Sequence, residues 1–330
     1  MQSRGRGSAS RRTVLAALAV SAGLAGLAAT GGLGGGPAAA QEQDFSKIQI
    51  KVIPAAGKVY MLEGAGGNIG VSAGEDGLLL VDDQYEPLAP KIREALRGLG
   101  GGGRLKFVLN THWHGDHTGG NKVFGPEAPL LAHSNVRKRL ASTQTVLGRT
   151  VPPSPKEALP VVTYDNAVSV HFNGEEIQVV HFPHGHTDGD SIVFFTGSNV
   201  VHMGDDFFAG RFPFVDLGSG GSVQGLIDNV AKALAMMPAG AKVIPGHGPL
   251  STPADLQRFH TMLVETTGIV RRRMQEGKSL EAIQAEGLPD TWKEWGSGFI
   301  DTKMWIRTIR DSLGNAASAT PQGSGTPHHR

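Results

Sequence analysis

The sequence predicts an α/β layered fold, and three observations carry that prediction. Short apolar runs separated by Gly-containing turns fill residues 47–82 and read as a meander of strands. A helix-spaced segment and a second group of strand-like runs follow, and the last third reads as mostly helical. No internal repeat occurs, and strands, helix, strands and helices in that order suggest layers rather than a doubly wound parallel sheet.

Taken in order, the first strands are expected at Ile48–Ile53, Lys58–Leu62, Asn68–Ser72 and Gly77–Val81. A helix follows over Pro87–Leu99, where Leu88, Ile92, Leu96 and Leu99 share a face, with proline early and a glycine run behind. Leu105–Leu109 is a short buried strand leading into Asn110-Thr111-His112, and a second helix is expected over Ser134–Leu147, opened by a serine cap. The Pro-rich stretch Val151–Pro160 reads as a loop beside a binding site. Strands resume at Val168–Phe172, Ile177–Phe182, Ser191–Phe195 and Val200–Met203, and Ser222–Met236 is an amphipathic helix before the short strand Lys242–Ile244. The chain then reads as helical to about Leu313, with a disordered tail over residues 314–330.

Composition narrows the chemistry. The 330 residues are 39% hydrophobic and 18% charged, a mix able to bury a core. There is no cysteine, so disulfides and thiolate ligands are excluded and any metal must be held by His, Asp or Glu. Ser10-Arg11-Arg12 opens a weakly apolar segment that ends in the small-residue site Ala38-Ala39-Ala40. This pattern is that of a twin-arginine export signal over residues 1–40, implying a periplasmic or secreted protein with no stable membrane insertion after cleavage. Gly23, Gly26 and Ser21 dilute the apolar run and weigh against a permanent anchor. Without the four arginines of that leader, 27 basic residues face 30 acidic ones, which leaves no electrostatic case for nucleic acid. A small-molecule substrate is expected, and oligomeric state is not readable.

The densest chemistry lies at Thr111-His112-Trp113-His114-Gly115-Asp116-His117, four ligand-type side chains within six residues straight after a buried strand. His112 and His114, two apart in extended chain, point the same way and can share one metal. Gly115 is expected to allow a sharp turn, after which Asp116 and His117 face a neighbouring position, and Gly119 and Gly120 allow close backbone packing beneath.

This H-x-H-x-D-H string resembles the signature of the metallo-β-lactamase superfamily. The resemblance extends in order through Gly185-His186-Thr187, Gly204-Asp205 and Pro245-Gly246-His247-Gly248, each after an expected strand. It covers roughly residues 45–273 and implies a four-layer αβ/βα sandwich, with a C-terminal helical extension over residues 274–313. Carried over residue by residue, it implies one zinc held by His112, His114 and His186, and a second held by Asp116, His117 and His247, with Asp205 bridging. An all-nitrogen-and-oxygen set suits Zn²⁺, with Mn²⁺ or Fe²⁺ as alternatives. The activity implied is hydrolysis by a hydroxide shared between the two ions, with Asp116 as the catalytic proton acceptor. The bond would be a cyclic amide, an ester or a relative of these. Classical metallo-β-lactamases generally carry Cys or Ser where Asp205 stands, whereas a bridging Asp is typical of glyoxalase II-like thioesterases and lactonases. Thioester or sulfur-ester hydrolysis, a mononuclear iron dioxygenase and a non-catalytic metal-binding protein are the other readings. His184 and Asp190 are secondary candidates, Asp206 is the rival of Asp205, and Trp113 is read as packing. The cluster Phe207, Phe208, Phe212 and Phe214 is either core or an apolar wall for the substrate.

Overall fold

Strand β4 (Gly77–Val81) is apolar at Leu78, Leu79, Leu80 and Val81 and buried along its whole length. A strand apolar on both faces needs cover on both. Leu78 and Leu80 point to one side, packing with Leu88, Ile92 and Leu96 of helix α1 (Ala89–Arg97) and the turn before it. Leu79 and Val81 point to the other side, into a core shared with a second sheet.

The computed structural model describes residues 44–319. The expected export signal lies outside them, as does the tail beyond residue 319. The first sheet has seven strands in the order β1-β2-β3-β4-β5-β6-β9. They are β1 (Lys51–Ala56), β2 (Val59–Glu63), β3 (Ile69–Gly74), β4, β5 (Leu105–Asn110), β6 (Leu130–His133) and β9 (Val162–Tyr164). The first four pair antiparallel, and β4, β5, β6 and β9 run parallel. Between β5 and β6 lie two single helical turns, α2 (Gly115–Thr118) and α3 (Asn121–Phe124). Between β6 and β9 come α4 (Ser134–Leu140) and the hairpin β7 (Gln144–Val146) and β8 (Arg149–Val151).

The second sheet has the order β10-β11-β12-β13-β14, namely Ala167–Phe172, Glu175–His181, Ser191–Phe195, Val200–His202 and Lys242–Ile244. In β12, Val193 and Phe195 face the first sheet, while Ile192 and Phe194 face helices α5 (Val223–Met236) and α6 (Pro253–Gln275). The layers therefore run helix, sheet, sheet, helix, as the sequence resemblance implies. Helix α6 runs unbroken across residue 273, and α7 (Leu280–Glu286) and α8 (Thr302–Ala319) follow. Trp292, Trp295, Trp305, Ile306 and Ile309 of this C-terminal part lie in one core with Phe207, Phe212, Leu226 and Phe259. Helix α8 continues to Ala319, into the stretch where composition suggests a disordered tail. Among the described residues, no helix is long and apolar enough to cross a membrane.

Candidate metal centre

Five segments meet at one edge of the two sheets, four of them arriving from the C-terminal ends of β4, β5, β13 and β14 and one from the turn between β11 and β12. The first support is Asp82, the residue after β4, fully buried with a left-handed backbone at φ 65°. Its carboxylate accepts from Thr111 N and Thr111 Oγ1, both at 2.8 Å, and from His117 Nδ1 at 2.7 Å. That one side chain fixes both ends of the histidine-rich loop. His114 is extended (φ −64°, ψ 148°), and the α2 turn starts at Gly115. A side chain at Gly115 would meet nothing within 4 Å, so a turn reserved for glycine is not required there. Gly119 and Gly120 are the tight positions: added Cβ atoms would lie 2.6 Å from Gly115 O and 2.7 Å from Asp83 O.

Hydrogen bonds at the outer nitrogen of four histidines decide what the inner nitrogen offers. Thr111 Oγ1 donates to Asp82 and so accepts from His112 Nδ1 at 3.1 Å, leaving His112 Nε2 buried without a hydrogen bond. His114 Nε2 donates to Asp216 Oδ2 at 2.9 Å, and His186 Nδ1 donates to the Phe214 carbonyl at 2.7 Å. His117 Nδ1 donates to Asp82. His112, His114 and His186 as neutral rings therefore turn a lone pair inward, whereas His117 Nε2 faces the Asp205 carboxylate at 3.0 Å, where either a proton or a cation is favoured. With both rings neutral, His114 Nδ1 and His186 Nε2 face each other at 2.8 Å as two acceptors, which either an extra proton on one ring or a cation beside both lone pairs must reconcile. The cation is the fit expected of a metal site.

The donors fall into two sets joined by a carboxylate. His112, His114 and His186 bring one donor atom each to within 4.8 Å of one another, and Asp116, His117 and His247 do the same. Asp205 Oδ2 lies 3.4 Å from His186 Nε2 and 3.9 Å from His112 Nε2, facing the first set. Asp205 Oδ1 lies 3.0 Å from His117 Nε2 and 3.4 Å from His247 Nε2, facing the second. Glycines make the room, since a Cβ on Gly67 would stand 2.1 Å from the His117 ring and one on Gly246 2.0 Å from Asp205 Oδ1.

Charge divides the same way. Burial drives His112 well below the usual imidazole range and His186 down to about 4, so both of these rings favour the neutral form. Burial also opposes charge on His117 and His247, but Asp205 and Asp116 outweigh it and lift His247 to about 9. Burial would raise Asp116 and Asp205, yet the surrounding imidazoles hold both below the carboxylate range. Two ionised carboxylates in a buried pocket call for positive charge, and divalent cations supply it.

The family model described as metallo-beta-lactamase superfamily matches residues 63–249. The chain belongs to the metallo-beta-lactamase superfamily. A hydroxyacylglutathione hydrolase of Nitrosococcus oceani is 30% identical over 151 residues, covering 44% of this chain and 49% of that protein, so the match spans about half of that relative. One from Halorhodospira halophila is 29% identical over 217 residues, covering 65% of this chain and 72% of its own. The DIM-1 metallo-beta-lactamase structure superposes with a TM-score of 0.54 at 17% identity over 66% of this chain and 99% of its own. The sec-alkylsulfatase Pisa1 from Pseudomonas sp. gives 0.61 at 15% identity over 83% and 52%. At that identity the two structures speak to the metallo-beta-lactamase fold alone.

All seven superfamily positions singled out in the sequence lie together at this centre. Asp206 does not: it turns toward Gly185, where a Cβ would stand 2.3 Å from its Oδ1 and 3.0 Å from Asp190 Oδ2. Asp190 accepts from Thr187 N at 2.8 Å and from the Thr187 hydroxyl, holding the turn that carries His186. His184 is exposed, and its Nδ1 donates to Gly220 O at 3.1 Å, away from the donor sets. Trp113 packs with Ala132, Val136 and Leu140. Phe207 and Phe212 are core, whereas Phe208 and Phe214 lie against ligand histidines. Sequence reasoning missed Asp82, Asp216 and Tyr85. Burial raises the Tyr85 phenol well above its ordinary range, and Asp116 and Asp205 raise it further, so it stays a hydrogen-bond donor beside the centre. Asp82 had a signal, a carboxylate closing a fully apolar strand; Asp216 had none.

Proposed function

We propose that this chain is a two-cation hydrolase of small acyl compounds. His112, His114 and His186 would hold one ion and Asp116, His117 and His247 the other, with Asp205 placed between the two sets. The single observation that carries the reading is the pair of hydrogen-bond-fixed histidines, His114 and His186, whose inward lone pairs oppose at 2.8 Å. Zinc is the proposed ion, because the donor set is all nitrogen and oxygen with imidazole dominant. Bound divalent ions supply Lewis acidity at a carbonyl and a nucleophilic hydroxide near neutral pH.

The chain's own groups do the rest. Asp82 and Asp216 hold the rings in register, and burial keeps His112 and His186 unprotonated and free to ligate. Asp116 Oδ2, 3.4 Å from His247 Nε2, belongs to the most exposed ligand, 23% accessible at the side chain, and is placed to accept the proton lost from water. The bridging Asp and the hydroxyacylglutathione hydrolase relatives support an ester, thioester or lactone over a β-lactam. Purified protein is expected to carry about two zinc ions per chain and to cleave aryl esters, thioesters or lactones in a chelator-sensitive way. Metal-free protein, or turnover indifferent to chelator, overturns this.

We further propose export through the twin-arginine leader. Cell fractionation with N-terminal sequencing should recover a periplasmic chain starting at Gln41. Full-length protein confined to the cytoplasm rejects the proposal.

A further inference from the structure

Solvent reaches the centre from one side. The side chains of His112, His117 and His186 are at most 1% exposed, while Asp116 and His247 are 23% and 20% exposed. Two phenyl rings from the segment after the bridging carboxylate flank the donor sets. Phe208 stacks on His247, with ring centres 5.0 Å apart and planes 17° from parallel. Phe214 lies 5.7 Å from the His114 ring and 5.7 Å from the His186 ring.

All four rings of this segment touch the same core, but unequally. Phe207 and Phe212 of the same segment supply the core contacts, against Phe259 at 5.3 Å and Trp305 at 5.9 Å. Phe208 is buried, whereas Phe214 is only partly buried and lies beside two of the histidines. The backbone around it is pinned by Ala209 N to His247 O at 2.9 Å, Phe212 N to Trp295 O at 3.0 Å and Asp216 N to His186 O at 2.9 Å. A partly buried apolar ring on pinned backbone beside the donor set can act as a wall.

Resting on the two-cation reading above, we propose that Phe214 sets substrate class by taking a neutral apolar acyl group. A carboxylate placed against these rings would lose hydration without gaining a partner. An alkyl chain gains with each methylene it buries.

The test separates the wall from the metals by measuring binding rather than turnover. Acetohydroxamate, butyrohydroxamate and hexanohydroxamate are titrated calorimetrically into the metal-loaded chain, with metal content measured in every sample. Affinity is expected to rise roughly threefold per methylene. Phe214→Ala should flatten that gradient, and Phe214→Leu should keep most of it, with metal content unchanged in both. The Phe214 carbonyl that accepts from His186 survives either change. A gradient intact in Phe214→Ala, or tighter binding of a carboxylate-ended succinohydroxamate than of hexanohydroxamate, overturns the wall. Protein that carries metal and binds every tail alike overturns the wall only. Protein without metal that binds none of them removes the two-cation reading as well.

Discussion

His114 can offer Nδ1 to a metal only while its proton stays on Nε2, and Asp216 keeps it there. The two oxygens of Asp216 have separate tasks, one accepting from His114 Nε2 and the other from Ser219 N at 3.1 Å. Asparagine has one acceptor oxygen, so Asp216→Asn must turn its amide N–H₂ toward one of these donors. Either the loop end loosens or the imidazole loses the partner that fixes its tautomer. Metal affinity is expected to fall by roughly 10- to 100-fold while the fold is retained. Competition against a chromogenic chelator, alongside circular dichroism, measures both, and unchanged affinity would falsify a positioning role. Asp216 also marks where residue-level reading stops. The ligands are legible because chemistry-bearing residues crowd into short motifs. Asp216 lies 102 positions from His114, an isolated carboxylate with no local pattern, and only the fold brings the two together.

At the scale of elements, legibility followed periodicity and length. Ser191–Phe195 and Lys242–Ile244 coincide with their sequence readings, and the strand leading into Asn110-Thr111 ends one residue later than expected. The helix expected over Ser134–Leu147 stops at Leu140. Beyond it the chain folds into the β7–β8 hairpin, which turns at Leu147 and Gly148 with φ of 51° and 75°. Val136 and Leu140 of the helix and Val146 of the hairpin all pack near Trp113. A Thr-Gln-Thr-Val run before a glycine was the overlooked signal, β-branched residues ahead of a turn. Strand β6 is not among the strands expected from the sequence. Its identity comes from parallel pairing on both sides, with β5 and β9. None of these misplacements touched the centre, because the ligand loops follow strands whose burial fixes them independently.

For the whole molecule, the question is whether the C-terminal helices are an appendage or part of the machinery. Trp305 of α8 is fully buried, donates from Nε1 to Thr266 Oγ1 of α6 at 3.0 Å, and stacks on Phe212. Phe212 in turn sits in the segment that joins Asp205 to Asp216. The extension therefore packs against the segment that carries Asp205, Phe214 and the His114 partner Asp216. Trp305→Ala removes a large ring from this core and is expected to cost about 3–5 kcal/mol. For a chain of this size that lowers Tm by on the order of 10 °C. Metal affinity should weaken with it, because the segment loses its backing, whereas Trp305→Phe should restore most of both. Calorimetry should show one cooperative transition in wild type and variant alike. Two separable transitions, or an unchanged Tm with unchanged metal binding, would mean that the helices after residue 273 fold as a unit apart and contribute nothing to the centre.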